Sequence, residues 1–490
     1  MSDKSDFVDY EPLNNPRPHK RGEDVGIRQR VSAVSNSAEV SDHREWFDRK
    51  LNPGEPQIAN SAVSRISEGS AALKRGHFIS FIGLYLFTVL VFVRPYELSP
   101  WLAWLSRGAL VTALVTLLVF IPTQLGLENK LTVRTREVNL LLILLFLCLL
   151  SVPFALDKLR AWNAFVEYSK VVVMFVVMVN VVRTEKRLKA LLLLILVISV
   201  ALSLAAINDY RLGNLALGGK RISGVIGGMF ENPNDLALHL VTFFPVIIGL
   251  AFGSRRIFVK LLYLASAICV LAGTVVTFSR GAFIGLIVVF VTLVWRFITS
   301  NRILVVLATG LLVGAFLLLA PGAYRQRIGT TGDESARART GELKRSLFLA
   351  ARHPVFGVGM DNFVIFSDTE HATHNSYTQV ASEIGLTAAV VYVMFLITPL
   401  KSLRRVSNVK QVDKNKRSLP YLAVGIQASL IGYMVVSFFA SVAYLWYVYY
   451  LVGYSICVSR LYEHLLTKQK IGSGLKVIPA ANAPSFGPRT

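Results

Sequence analysis

Charge is what this chain has least of. Only 17% of its 490 residues are Asp, Glu, Lys or Arg, where a soluble protein carries about a quarter. A large water-facing surface is thereby excluded for most of its length. Cysteine is scarce too. Cys148, Cys269 and Cys457 lie far apart inside apolar runs, which excludes a disulfide framework or a metal spacing and leaves three small buried hydrophobes. No acidic cluster of metal-ligand type is present, which fits a site that needs no Mg²⁺; no cofactor is expected, and no repeat of solenoid length is evident. No cleavable signal peptide is apparent either. The first apolar run begins only near Phe78, and it is expected to act as an uncleaved signal-anchor.

Acidic residues are outnumbered, 30 against 52 Lys and Arg. The surplus does not read as a nucleic-acid footprint. Residues 1–76 hold 12 basic and 12 acidic side chains, so that stretch is neutral. The excess sits in short loops beside apolar segments, where topology and anionic lipid call for it; the expected partners include membrane lipids and exclude nucleic acid.

What the chain has in abundance is hydrophobic sequence, 53% of all residues. Twelve apolar segments follow one another at approximately 78–93, 101–121, 138–156, 162–182, 188–207, 235–252, 257–278, 281–299, 303–320, 376–400, 419–437 and 439–459. The runs are continuous rather than alternating, which selects helices over a barrel. The expected fold is an all-α, polytopic membrane helix bundle of about twelve transmembrane helices. Residues 1–76, rich in Asp, Glu, Ser, Asn, Arg and Pro, are predicted to be a disordered cytoplasmic tail. Residues 77–460 form the membrane domain, with one long, partly helical loop at 321–375, and 461–490 a cytoplasmic C-terminal tail. Loop charge, strongest at 401–417, puts both termini in the cytoplasm. The intervals 208–234, 278–281 and 321–375 then share the opposite, outer face. Ionisable residues inside the spans are few: Arg107, Glu167, Lys170, His239 and Glu383. Glu167 and Lys170, three apart, are expected to pair, and His239 to hydrogen-bond between helices. This scarcity counts against ion-coupled transport.

Three outward sites carry candidate chemistry. Interval 208–234 combines six glycines with Lys220 and Arg221 and ends in Asn-Pro-Asn-Asp at a helix entrance. Arg221 suits bidentate phosphate binding, but a basic residue reaching toward headgroups would look the same. Arg280 stands in the tight turn Phe-Ser-Arg-Gly at 278–281, either meeting an anion or anchoring the interface, with Gly281 letting the turn close. The long loop holds seven basic residues, including Arg337 and Arg339. Residues 340–352 are periodic for a helix with Leu343, Leu347 and Ala351 on one face. The loop closes with His371, His374 and Asn375 at the next helix entrance. An imidazole there can take a proton from a sugar hydroxyl near neutral pH or simply cap the helix.

Together these pieces resemble the O-antigen ligase and polysaccharide polymerase family of bacterial envelopes. The resemblance rests on Phe-Ser-Arg-Gly-Ala-Phe at 278–283, Arg337 and the amphipathic stretch after it, and His-Pro-Val-Phe-Gly-Val-Gly-Met-Asp-Asn-Phe at 353–363. It continues with His-Asn-Ser-Tyr at 374–377 and Glu-Ile-Gly-Leu at 383–386, and covers about residues 78–460. It implies a GT-C-like, metal-independent glycosyltransferase of the inner membrane that acts on an undecaprenyl-pyrophosphate-linked glycan at the periplasmic face. Arg221 and Arg280 would hold the pyrophosphate and His374 would orient or deprotonate the acceptor hydroxyl, supported by Arg337, Asn375 and His371. The acceptor would be another glycan or lipid A-core, with polysaccharide export or chain-length proteins as companions. His371 is three residues from His374, whereas ligases of the family often show His-x-His, which favours O-antigen or exopolysaccharide polymerisation over ligation to lipid A-core. A transporter of small anions, and a non-catalytic membrane scaffold, are the rival readings.

Overall fold

The structure is a computed structural model that describes residues 76–216, 221–222, 230, 232–297, 303, 306–307, 310–311, 314, 334–367, 372–407 and 418–472. The predicted N-terminal tail, residues 217–220 and 223–229 of the glycine-rich interval, most of the ninth apolar segment and His371 lie outside the described residues.

Thirteen α-helices of eight residues or more organise the described residues. They are α1 (Phe78–Val93), α2 (Gly108–Glu128), α3 (Arg136–Ser151), α4 (Lys158–Val181), α5 (Glu185–Leu212), α6 (Pro233–Gly253) and α7 (Ile257–Val276). After them come α8 (Arg280–Phe297), α9 (Glu334–Arg352), α10 (Ser376–Glu383), α11 (Leu386–Val406), α12 (Ser418–Val436) and α13 (Trp446–Gly472). Extended structure among the described residues is confined to Leu215–Ala216 paired antiparallel with Arg221–Ile222. Ten helices in the described residues are long and apolar enough to cross a membrane. The chain is therefore a polytopic all-α membrane bundle.

Two predicted segments are built differently. The run 376–400 is two helices, α10 and α11, broken at Ile384 and Gly385. The last, expected from 439, begins as a helix only at Trp446 and is not among the ten. Tyr447, Tyr449, Tyr450 and Tyr454 lower its hydropathy while being fully buried. Arg107 ends a 3-10 helix, Pro100–Arg107, and α2 starts one residue later.

Short polar residues start several helices. The Thr135, Asp157 and Thr184 side chains accept the backbone N–H of Val138, Arg160 and Arg187 at the heads of α3, α4 and α5, satisfying donors that a helix leaves unpaired. At the centre lie α6 and α12, both buried over most of their surface. In lipid the hydrophobic effect does not drive helices together, and close packing between small residues takes its place. A Cβ on Gly249 would sit 2.7 Å from the Tyr421 carbonyl oxygen, and one on Gly425 2.6 Å from that of Pro245. His239 of α6 is fully buried and meets the Ser199 hydroxyl of α5 at 3.0 Å, the interhelical role expected of it. Glu167 and Lys170 pair along α4.

One end of the bundle is latched by Arg183, which reaches Glu128 and the Gln124 side-chain carbonyl at 3.0 Å each and donates to the Asn180 carbonyl at 2.6 Å. His77 packs beside it, against Phe120. Burial first, then the neighbouring guanidinium, push the His77 imidazole down to about 4.

Candidate active site

The long polar interval ends in a residue with left-handed backbone. His374 has φ 52°, a conformation uncommon outside glycine. Its neighbours hold it there. The Asn375 side-chain oxygen caps α10, accepting from the N–H of Tyr377 at 2.9 Å and of Thr378 at 3.0 Å. The Thr373 hydroxyl donates to the Asn375 carbonyl and meets the Ser441 hydroxyl, each at 2.9 Å. The Ser376 hydroxyl donates to the Ala440 carbonyl at 2.7 Å and accepts from the Val442 N–H at 3.0 Å. Residues 373–376 are thus stapled to the connection between α12 and α13. The two accepted bonds fix which end of the Asn375 amide is oxygen. Its nitrogen is left buried and without a partner.

A second left-handed residue, Phe278 at φ 52°, turns the chain from α7 into α8. The tight turn therefore depends on Phe278, and not on Gly281 as the sequence suggested. Gly281 is needed for approach instead, since a Cβ there would lie 3.0 Å from that of Phe439. The Ser279 hydroxyl donates to the Asn234 side-chain oxygen at 3.1 Å, and Asn232 caps α6 by accepting from the Asn234 N–H at 2.9 Å. The heads of α6, α8 and α10 are thereby brought together.

Two cavities open at this junction. One, of about 330 Å³, is lined by Arg280, Arg339, Thr340, His374, Asn375 and Phe439 among others. The other, of about 300 Å³, is lined by Asn232, Asn234, Asp235, His374, Phe439 and Ser441 among others. His374 and Phe439 belong to both walls. The three sequence intervals expected on one face do converge here. Arg280, His374 and Asn375 meet in the first cavity. The Arg221 backbone is in the short strand pair, and its side chain lies outside the description.

Arg337 is exposed and is not among the lining residues, whereas Arg339, two positions on, is half-buried and lines the cavity. Two residues are about 200° apart around a helix, so the two side chains leave α9 on opposite faces. Arg339 was missed because the apolar pattern misleads. Glu342, Ser346, Leu349 and Ala350 are buried, while Leu347 and Phe348 are more than half exposed. Arg339 is three and seven residues before Glu342 and Ser346, on the face that actually packs inward.

The stretch 353–363 does not line either cavity; it buttresses them. The Val358 and Gly359 N–H groups donate to the Ser382 and Glu383 carbonyls at 2.9 and 2.8 Å, and the Leu386 N–H donates to the Pro354 carbonyl at 2.8 Å. These bonds serve the backbone groups freed where α10 breaks from α11. Gly385 is obligatory at the break, with φ 109° and a Cβ position 2.3 Å from the Val355 carbonyl oxygen. On the other side the Asn362 side chain accepts from the Asp157 N–H at 2.7 Å and donates to its carbonyl at 3.2 Å, while Arg160 pairs with Asp361 at 2.9 Å. Glu383, at the end of α10 and outside the ten spans, is buried with one carboxylate oxygen unpartnered. Burial raises its pKa to about 8, and the Tyr444 hydroxyl lies near it without making a hydrogen bond of normal geometry.

Residues 265–393 match the family described as O-antigen ligase. That segment is an O-antigen ligase domain. It runs from within α7 to within α11, and so carries Arg280, Arg339, His374, Asn375 and the 353–363 buttress. Asn232, Asn234, Asp235 and Ser441 lie outside the O-antigen ligase domain, although they share its cavities. No curated protein matches the chain. The ten apolar helices make this a multi-pass membrane protein, and the matched segment is similar to the O-antigen ligase family.

Proposed function

We propose that the chain is an inner-membrane glycosyltransferase that moves a glycan from undecaprenyl pyrophosphate to a hydroxyl of a second glycan, on the periplasmic side. The observation that carries this reading is the shared cavity of Arg280, Arg339 and His374 at the helix heads. Guanidinium groups match the planar, bidentate geometry of phosphate oxygens. In the proposed reaction the acceptor oxygen attacks the anomeric carbon and its proton passes to the His374 imidazole. The bond from that carbon to the phosphate oxygen breaks, and the electron pair leaves with the pyrophosphate. Arg280 and Arg339 stabilise the charge as it develops, which is where fixed cations lower a barrier most. Arg221 keeps the same assignment from sequence. The reaction uses no metal, so EDTA leaves its rate unchanged. Attack from the face opposite the leaving group inverts the anomeric centre. Polymerisation of O-antigen or exopolysaccharide units is preferred over ligation to lipid A-core, on the spacing of His371 and His374.

The test is transfer in membrane vesicles supplied with lipid-linked glycan. His374→Ala is expected to abolish product with protein level and donor pool intact, and Arg280→Lys to lose at least tenfold, because an ammonium is only a point charge. Full transfer by the His374 variant would remove the base from the mechanism. Normal turnover by the Arg280 variant would make that arginine an interface anchor.

A further inference from the structure

The two cavities that share His374 differ in chemistry. The larger has Arg280 and Arg339 in its wall. Among its described lining residues the smaller has no arginine or lysine; it has Asp235, two asparagines and Ser441. Such a set is poorly suited to an anion and well suited to neutral hydroxyl groups, which carboxylates and amides bind as acceptors and donors.

Asp235 is the telling member. It stands in the first turn of α6, and its carboxylate is half-buried with no hydrogen-bond or ion-pair partner among the described residues. A helix N-terminus tolerates an acid there, but that does not supply the hydrogen bonds a desolvated carboxylate lacks. His374 lines the same cavity, and it lines the arginine-lined space as well. A group that takes a proton from the attacking hydroxyl must touch the acceptor, and His374, lining both spaces, can do so while the donor occupies the arginine-lined one.

We propose that the 300 Å³ cavity is the acceptor subsite, and that Asp235 binds hydroxyl groups of the incoming glycan. The inference rests on the glycan-transfer reading above. It assigns the ligand class of a space lined mostly by residues outside the O-antigen ligase domain. Donor pyrophosphate and acceptor sugar then occupy neighbouring spaces that share His374.

The test crosses two probes with two variants of the detergent-solubilised full chain. Undecaprenyl pyrophosphate without glycan offers the anion alone, followed by tryptophan fluorescence. Glycan released by mild acid from the producing cells' lipid-linked oligosaccharides offers hydroxyls without phosphate, followed by saturation-transfer NMR. Asp235→Asn is expected to weaken released-glycan binding about tenfold, the loss of a charged hydrogen bond, and to leave undecaprenyl pyrophosphate binding unchanged. Arg280→Ala is expected to do the reverse. Asp235→Glu, which keeps the charge but intrudes by one methylene, gives the same selective loss and covers the case in which the Asn variant is not monodisperse. Wild-type glycan affinity in both Asp235 variants overturns the subsite, as does a loss of pyrophosphate affinity in its place. If the wild-type chain shows no affinity for undecaprenyl pyrophosphate, or Arg280→Ala leaves that affinity intact, the donor reading itself fails and the subsite goes with it.

Discussion

The Asn375 amide has two ends with separable jobs, and one substitution pulls them apart. Its oxygen caps α10 through two backbone N–H groups, while its nitrogen is buried, unpartnered and part of a residue lining the Arg280 cavity. Asn375→Asp keeps the cap, because Asp and Asn are equivalent N-caps. It replaces the N–H donor by a carboxylate oxygen facing the place proposed for pyrophosphate. Two unit charges about 4 Å apart at an effective dielectric near 20 repel by about 4 kcal/mol. Water in the open cavity reduces this to about 2–4 kcal/mol, a loss of roughly 30- to 1,000-fold in transfer rate. Protonation restores a donor and removes the charge, so the variant's activity should climb as pH falls from 8 to 6, relative to wild type. Asn375→Ser, a neutral cap, removes the donor without adding charge and should stay within about tenfold of wild type. The assay is glycan transfer in vesicles with the solubilised protein's melting temperature measured alongside. A fully active Asn375→Asp chain, flat across that pH range, would refute the placement of an anion beside this amide and leave the residue a cap only.

Other outcomes follow from the same geometry. Arg339→Ala should reduce transfer at least tenfold while Arg337→Ala changes it less than twofold, read in the same vesicles; equal effects would contradict the facing of α9. Gly385→Ala places a methyl group 2.3 Å from a backbone oxygen at φ 109°, so it should cost about 2 kcal/mol or more and lower both melting temperature and activity without touching substrate. At the other end, His77 is held neutral with its pKa pushed to about 4. The folded chain binds fewer protons than the unfolded one between that value and about 6.5, so stability is complete above the window and falls as pH drops through it. A melting temperature that declines from pH 7 to 5 in wild type should decline less in His77→Asn, which suits the left-handed backbone at that position.

The bundle was legible from hydropathy because each lipid-crossing helix must be continuously apolar. The same signal cannot see the break at Gly385, since the residues on either side of it, Ile384 and Leu386, are as apolar as a span requires. Nor does it see α13 well: its buried tyrosines look half-polar by index but are packed in the interior. Arg280, His374 and Asn375 were legible as polar residues at the mouths of apolar runs. Arg339 was not, because on α9 the inward face carries Glu342 and Ser346 and the outward face carries Leu347 and Phe348. Amphipathic patterns assume water outside, and that assumption fails for a helix lying against a membrane protein. Asp235 was hidden as one more polar residue in a capping sequence until the cavity beside it was visible.

The left-handed backbone at His374 has a consequence for how this protein can fail. Asparagine and aspartate share histidine's tolerance of that conformation, so either can replace it without disturbing the staple to Ser441 and Ala440. On the proposed reading, a chain carrying His374→Asn would fold, keep its arginine-lined cavity and hold lipid-linked substrate that it never turns over. Such a copy would sequester a carrier lipid needed elsewhere in the envelope and poison cells that also express the working protein. Inactivation at this position is therefore expected to be dominant, whereas disruption of the Gly385 break would be merely recessive.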